Sequence, residues 1–211
     1  MQIPILYYTN SNPTNKMLSL EALISLLPKP MRARAVRYQQ EEAAYNYVLG
    51  RLLLKKALEE SQSNYTLSDL YYNEEGKPLL DGFPFNIAHS QDLVGVVFGG
   101  TAALGLDIEY PRTIEKKHFR HCFSDTEWAA IIKDSNLETF YLYWTQKEAI
   151  LKAAGVGLNQ LLNIEIQNKQ LANLAGQVYH LQQLKIPNSG AYVHVCSTEL
   201  LPSIAIQQVV F

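Results

Sequence analysis

Two long helical stretches, each followed by short strand-like runs, constrain the fold of this 211-residue chain most strongly. The first covers residues 41–60, with apolar side chains at helical spacing, and the second covers residues 137–154 and ends at Gly155, a residue that favours helix C-termini. Alternating or apolar runs predict strands at residues 3–8, 85–89, 93–98, 102–109, 163–167, 177–184, 191–197 and 204–210. Helices followed by several strands in both halves of the chain predict an α+β fold.

Composition narrows the class of protein before any motif is considered. Hydrophobic residues make up 47% of the chain and charged residues 18%, which indicates a globular protein with a substantial core. The net charge of −2 argues against broad nucleic-acid binding. Cys122 and Cys196 lie far apart without CxxC spacing, so neither a disulfide framework nor a zinc site is expected. No signal peptide or membrane-spanning run is visible, so we expect a soluble, cytoplasmic protein.

An acidic strand and a mixed-charge helix together suggest a metal site. Asp107 and Glu109 stand two residues apart in a strand-like run and therefore project from one face. Trp144, Glu148 and Lys152 are spaced four apart and share one helical stripe. Each group alone has an ordinary alternative, an exposed edge strand or a surface i,i+4 ion pair. Together, three carboxylates beside lysines form a candidate oxygen-ligand Mg²⁺ site with positive charge for a phosphate.

A second group of polar residues, upstream, suits a phosphate monoester. Lys77 and Pro78 follow a glycine in a turn, and His89 and Ser90 end the strand-like run that begins at Phe85. An ammonium group, a ring N–H and a hydroxyl in one short segment are phosphate-binding groups, although a lone strand-end histidine is more often structural. Four upstream arginines add positive charge: Arg32, Arg34, Arg37 and Arg51. For Arg32 and Arg34 a solvated helix face remains an equal alternative.

These segments, in order, resemble the 4′-phosphopantetheinyl transferases of the surfactin-synthetase-activating type. That family shows a Gly-Lys-Pro turn, Phe-Asn-x-Ser-His-Ser, a Gly-x-Asp-x-Glu strand and Trp-x-x-Lys-Glu-x-x-x-Lys. This chain carries the four motifs at 76–78, 85–90, 105–109 and 144–152. One departure is Ala88, which stands where the family commonly has serine. Losing one neutral hydrogen bond to phosphate costs on the order of 1 kcal/mol, roughly fivefold in affinity.

The resemblance implies a reaction and an architecture. Family members transfer the phosphopantetheine arm of coenzyme A to a serine of an apo acyl or peptidyl carrier protein and release 3′,5′-ADP. The implied fold is two similar α+β halves in pseudo-twofold relation, with the active site in the cleft between them. Residues 1–103 would form the half that binds the coenzyme A phosphates. Residues 104–211 would carry the metal site and the carrier-docking surface, in a chain that can act as a monomer.

The resemblance also implies residue roles. Asp107, Glu109 and Glu148 match the Mg²⁺ ligands, and Lys152 matches a lysine that contacts the pyrophosphate. Glu148 matches the carboxylate that deprotonates the acceptor serine, a role that Asp107 or a metal-bound water can also fill. Lys147 ranks lower because it points about 100° away on the helix. The residues assigned to coenzyme A are Arg51, Lys77, Pro78, Asn86, His89, Ser90 and Lys152.

The sequence leaves open which residues dock the carrier protein and whether one of two other functions applies. The docking candidates are Phe119, Phe123, Trp128, Lys116, Lys117 and Arg120, and for the aromatic residues core packing is at least as good an explanation. A Mg²⁺-dependent phosphohydrolase acting on coenzyme A or a related pyrophosphate would use the same three carboxylates. A non-catalytic nucleotide- or carrier-binding protein is favoured only by Ala88.

Overall fold

The computed structural model describes residues 3–10, 18–201 and 203–211. These divide into two compact units, Met1–Thr101 with Ser203–Phe211 and Ala102–Pro202. In chain order the strands and helices are β1 (Ile5–Asn10), α1 (Leu20–Ser25), α2 (Lys29–Ala35), α3 (Glu41–Glu60), β2 (Tyr71–Tyr72), β3 (Pro78–Leu79), β4 (Phe85–Ser90), β5 (Leu93–Phe98), β6 (Leu104–Glu109), α4 (Asp125–Lys133), α5 (Glu138–Ala154), β7 (Ile164–Ile166), β8 (Leu171–Leu174), β9 (Gln177–Leu184), β10 (Tyr192–Ser197) and β11 (Ala205–Gln208).

In the first unit, α3 packs against a four-stranded sheet in the order β11-β1-β5-β4. The neighbours are antiparallel except β11, which runs parallel to β1. Gly50 allows the helix to approach the sheet, because a Cβ there would lie 2.9 Å from Ile87 Cγ2. The predicted close contact at this glycine is therefore confirmed. Val48, Leu52 and Leu53 fill the space beneath α3 and are almost fully buried.

In the second unit, α5 packs on a five-stranded antiparallel sheet in the order β6-β10-β9-β8-β7. Gly105 in β6 sets the distance between strand and helix. A Cβ at this position would lie 1.9 Å from Ala149 O and 2.6 Å from Ala153 N. The contact is with helix backbone, which has no side chain to turn aside, so only glycine fits. The glycine of the acidic strand is thus a packing requirement.

Most predicted elements are present, and the α+β class is confirmed. Helix α3 has the predicted bounds, the capping box between Ser124 and Glu127 begins α4, and Gly155 ends α5 in a left-handed conformation with φ 70°. Pro30 lies in the first turn of α2. Proline is tolerated there because the first-turn N–H groups have no intrahelical acceptor.

The end of the chain differs from the predicted halves. Residues 104–211 were expected to form the second half, but Ser203–Phe211 belongs to the first unit. The reason is the parallel pairing of β11 with β1, which brings Ala205 opposite Ile5. Strand β8 and the short β2–β3 pair were not predicted, and both are too short for a clear alternation pattern. The pseudo-twofold relation remains a prediction.

Within the described ranges, no helix is both long enough and apolar enough to cross a membrane.

Substituting Gly105 tests the packing of α5 on β6. Gly105→Ala would place a methyl group against helix backbone, and we expect the free energy of unfolding to fall by about 3 kcal/mol or more, the upper range for overpacking. Urea denaturation measures the change. Gly190→Ala is the control, because a Cβ at that glycine meets nothing within 4 Å. Equal stability of the two variants would contradict the packing argument.

Candidate active site

The acidic residues of β6 and the polar stripe of α5 face each other within the second unit. Asp107 is 4% exposed, and Lys152 Nζ lies 2.5 Å from Asp107 Oδ1 in a charge-assisted hydrogen bond. Trp144 Nε1 donates to Glu109 Oε1 at 3.4 Å. Both contacts join a residue of the strand to one of the helix. The sequence assignment of Asp107, Glu109, Trp144 and Lys152 to one region therefore agrees with the geometry.

Glu148 differs from the other two carboxylates because it makes no hydrogen bond or ion pair with any residue that the structure describes. Burial, opposed by Lys152 and reinforced by the neighbouring Asp107 and Glu109 carboxylates, raises the pKa of Glu148 to about 7. The side chain is half-buried beside two other acids. Glu148 is thus a carboxyl group that remains available to accept a proton or to bind a cation.

The side chains of Asp107, Glu109 and Glu148 have donor atoms that suit a metal ion. Three carboxylates supply the hard oxygen ligands that Mg²⁺ prefers. Burial first, and then repulsion from Asp107 and Glu109, raise the pKa of Glu148, and a cation would favour its charged form. As arranged, however, no group of three or more His, Cys, Asp or Glu side chains in residues 3–10, 18–201 and 203–211 is placed to hold a metal ion. Lys152 already supplies a positive charge to Asp107. The donor chemistry fits, and the metal remains a proposal.

In the first unit, two arginines stack on tyrosines. The Arg51 guanidinium lies 4.6 Å from the centre of the Tyr47 ring, and that of Arg34 lies 5.3 Å from Tyr47 and 6.0 Å from Tyr72. Arg51 is 8% exposed, and its Nε has no hydrogen-bond partner among the described residues. No carboxylate in the described parts of the chain pairs with either arginine. Two cations without a counter-ion form a candidate anion site.

The other first-unit residues assigned to coenzyme A lie on β4 and at the turn that leads into β3. Pro78 begins β3 and pairs with Tyr72 of β2, so the turn that holds Lys77 is joined to the arginine-bearing region. Asn86 is buried in β4, whereas His89 is exposed and Ser90 is half-buried at the strand's end. The sequence did not identify Tyr47 or Tyr72, because thirteen tyrosines gave no reason to prefer two. Tyr47 and Arg51 are i,i+4 neighbours on α3, so helical spacing could have paired them. Arg34 and Tyr72 lie on other segments and join this pair only in the fold.

Lys147 differs from Glu148 and Lys152, the other charged residues of the Trp144–Lys152 motif, because it is 0% exposed. Its ammonium group lies 2.8 Å from Glu127 Oε2 and donates to the carbonyls of Cys122 (3.3 Å) and Leu161 (3.0 Å). Glu127 also accepts from Ser124 N and so caps α4. Lys147 therefore links the start of α4 and the segment after α5 to α5 itself, the helix that carries Glu148. Its predicted lower rank as a substrate contact is consistent with this burial.

Several predicted docking residues are used within the second unit. Phe123 is 0% exposed, in the core with Phe140 and Trp144. Lys116 Nζ donates to the carbonyls of Ile131 (2.7 Å) and Asp134. The others are at least partly accessible: Phe119, Trp128, Lys117 and Arg120. Docking through Phe123 is excluded by its burial, and docking through the accessible residues stays a prediction.

Comparison with known proteins agrees with the motifs. The sequence profile described as the 4′-phosphopantetheinyl transferase superfamily matches residues 103–208, which contain β6, α5 and all three carboxylates. The chain belongs to this superfamily.

Named relatives extend the similarity beyond that range. The chain is 30% identical over 147 residues to 4′-phosphopantetheinyl transferase Sfp of Bacillus subtilis (strain 168), covering 66% of this chain and 65% of Sfp. It is 30% identical over 164 residues to 4′-phosphopantetheinyl transferase HetI of Nostoc sp., covering 70% and 67%. It is 30% identical over 165 residues to 4′-phosphopantetheinyl transferase AcpT of Escherichia coli (strain K12), covering 71% and 80%. The chain thus spans just under two thirds of the length of Sfp.

Removing one partner of the buried Lys147–Glu127 pair should be costly. Lys147→Met leaves the Glu127 carboxylate buried without its cation, and we expect a loss of about 3–5 kcal/mol in the free energy of unfolding. The double variant Lys147→Met/Glu127→Gln should recover part of that loss, since no lone charge remains. Urea denaturation compares both with Lys55→Met, whose exposed pair with Glu59 spans 3.8 Å and contributes little. A Lys147→Met variant as stable as Lys55→Met would contradict the role of Lys147 in linking these segments to α5.

Proposed function

We propose that this protein transfers the 4′-phosphopantetheine arm of coenzyme A to a serine of an apo acyl or peptidyl carrier protein, releasing 3′,5′-ADP. The observation that carries the proposal is the convergence of Asp107, Glu109, Glu148 and Lys152 between β6 and α5, inside the region matched by the superfamily. The named relatives support the same activity, since each carries the name 4′-phosphopantetheinyl transferase.

The reaction breaks one P–O bond of the coenzyme A pyrophosphate and forms another. The serine Oγ bonds to the phosphorus that carries the pantetheine, the bridging oxygen leaves with 3′,5′-ADP, and the serine proton must go to a base. We assign that base to Glu148 rather than Asp107, because Lys152 engages Asp107 whereas Glu148 makes no ion pair among the described residues. Lys152, one turn after Glu148 on α5, would contact the pyrophosphate and stabilise the charge of the leaving phosphate.

A Mg²⁺ ion is part of this proposal. Asp107, Glu109 and Glu148 would hold it, and when bound it would supply positive charge to the pyrophosphate oxygens. The support is the set of three oxygen donors and the pKa of Glu148, which burial raises most and the neighbouring carboxylates raise as well. Gly105 and Lys147 would contribute indirectly, since one sets the distance between strand and helix and the other fixes the surroundings of α5.

The phosphates of coenzyme A are assigned to the first unit. Arg51, Lys77 and His89 are the proposed contacts, and Arg34 joins them because it stacks on the same tyrosine as Arg51. Arginines held against aromatic rings lose less side-chain entropy on binding an anion, and guanidinium groups bind phosphate in a bidentate manner. Pro78, Asn86 and Ser90 would shape the adjoining adenine site.

The competing phosphohydrolase would use the same carboxylates but need no carrier. Analysis of the products separates the two reactions. Incubation with coenzyme A and Mg²⁺ alone should leave coenzyme A intact if the protein is a transferase. Cleavage that proceeds equally fast without a carrier would favour the hydrolase.

Transfer itself can be followed by the mass of the carrier. Incubated with coenzyme A, Mg²⁺ and a panel of apo carriers, the protein should increase the mass of at least one carrier by one phosphopantetheine. Glu148→Gln should reduce the rate by a factor of about 100 or more, because the amide cannot accept the serine proton. Glu165→Gln, an exposed glutamate of β7, is the matched control and should keep full activity. Undiminished transfer by Glu148→Gln would remove this residue from the mechanism.

The arginine–tyrosine stack predicts a specific loss of coenzyme A affinity. Arg51→Gln should weaken binding by about tenfold to a hundredfold, the usual effect of losing a charge-assisted hydrogen bond. Isothermal titration calorimetry measures the affinity. Lys185→Gln makes the same change of charge at an exposed position and should bind normally. Equal affinities for both variants would place the phosphates elsewhere.

A further inference from the structure

A cavity of about 370 Å³ lies in the second unit between α5 and the sheet, a volume typical of small-molecule sites. Tyr143 and Gln146 line it from the helix, and Gln183 and His194 line it from β9 and β10. Gln146 precedes Glu148 by two residues and therefore points about 160° away from it around the helix. The cavity is thus on the side of α5 opposite the proposed transfer site.

His194 is the deepest polar group of this cavity, with 1% exposure. Its Nδ1 lies 2.7 Å from Thr145 Oγ1, which is itself 2.7 Å from Tyr141 O. A carbonyl oxygen can only accept, so the single hydroxyl proton of Thr145 goes to Tyr141 O and Nδ1–H donates to Thr145. With its proton on Nδ1, the uncharged ring carries no proton on Nε2. Its Nε2 is therefore an acceptor, and it has no hydrogen-bond partner in the described part of the chain.

Gln146 provides a second acceptor beside the histidine. It is 5% exposed, and its Nε2 donates to Lys169 O at 3.4 Å, which leaves Oε1 to face a ligand. Leu142, Tyr143 and Ile166 form apolar walls, whereas the exposed rim carries Lys169 and Gln183. No carboxylate lines the cavity. The inner end thus requires N–H donors on the ligand, and the walls suit a flat, apolar ring.

We propose that this cavity is a second small-molecule site, for a flat heteroaromatic ligand with an amino or primary-amide group at its inner end. The –NH₂ group would donate to His194 Nε2 and Gln146 Oε1, and the ring would lie between Tyr143 and Ile166. Aminopurines and nicotinamide-type rings share this chemistry. The inference goes beyond phosphopantetheine transfer, since none of these residues is assigned to that reaction.

Nuclear magnetic resonance of the full chain labelled with ¹⁵N-histidine tests the site directly. Spectra at pH 7 are recorded with saturating coenzyme A present, so that its adenine site is filled. We expect adenine or nicotinamide to shift the His194 Nε2 resonance. Whichever of the two compounds shifts it identifies the type of ligand. Purine and nicotinic acid, the matched compounds without the –NH₂ group, should leave that resonance unchanged. The His194 signal is identified as the one that is absent from the spectrum of His194→Phe.

Variants at the cavity complete the test. Gln146→Leu removes one acceptor and should weaken binding by about tenfold, while Gln170→Ala, an exposed neighbour of Lys169 outside the lining, should not change it. His194→Phe should abolish binding if the variant folds. The proposal is overturned if neither adenine nor nicotinamide shifts the His194 resonance up to its solubility limit. It is also overturned if Gln146→Leu binds as tightly as the unchanged protein.

Discussion

The close packing of α5 on β6 is the contact on which the second unit's candidate site depends. Gly105 removes the Cβ that would otherwise meet the helix backbone, so the strand and helix approach to the distance at which Lys152 reaches Asp107. The same approach places Trp144 against Glu109 and leaves Glu148 among acidic neighbours. A wider spacing would separate these side chains by about the width of a methyl group, more than a hydrogen bond tolerates. Gly105 is therefore required both for the packing of α5 on β6 and for the geometry of the candidate site.

The two lysines of α5 differ in their burial and in their contacts. Lys147 is enclosed by Glu127 and two carbonyl groups, so its charge is fully used in holding neighbouring segments in place. Lys152, five residues later, is half-buried and pairs with a carboxylate of the candidate site. Two lysines of one motif can thus serve stability and chemistry separately, because five helix positions place them about 140° apart.

The two sides of α5 also differ in the charge of their surroundings. One side faces Asp107 and Glu109, which suits a cation and a phosphate, whereas the cavity around His194 contains no carboxylate and offers neutral hydrogen-bonding groups. On the cavity side, Thr145 of α5 fixes the tautomer of His194 through its hydrogen bonds. Helix α5 therefore separates an ionic environment from a neutral one.

The sequence by itself determined the long helices, the central strands and the proximity of Asp107, Glu109, Glu148 and Lys152, because local periodicity and motif order carry that information. It did not determine that β11 pairs with β1, that Lys147 is buried, or that Arg34 and Arg51 share Tyr47. Apart from Arg51 and Tyr47, which are four residues apart on α3, these contacts join different elements of the chain. Their energies come from burial and tertiary pairing rather than from local propensity. The cavity around His194 is decided in the same way, by tertiary structure alone.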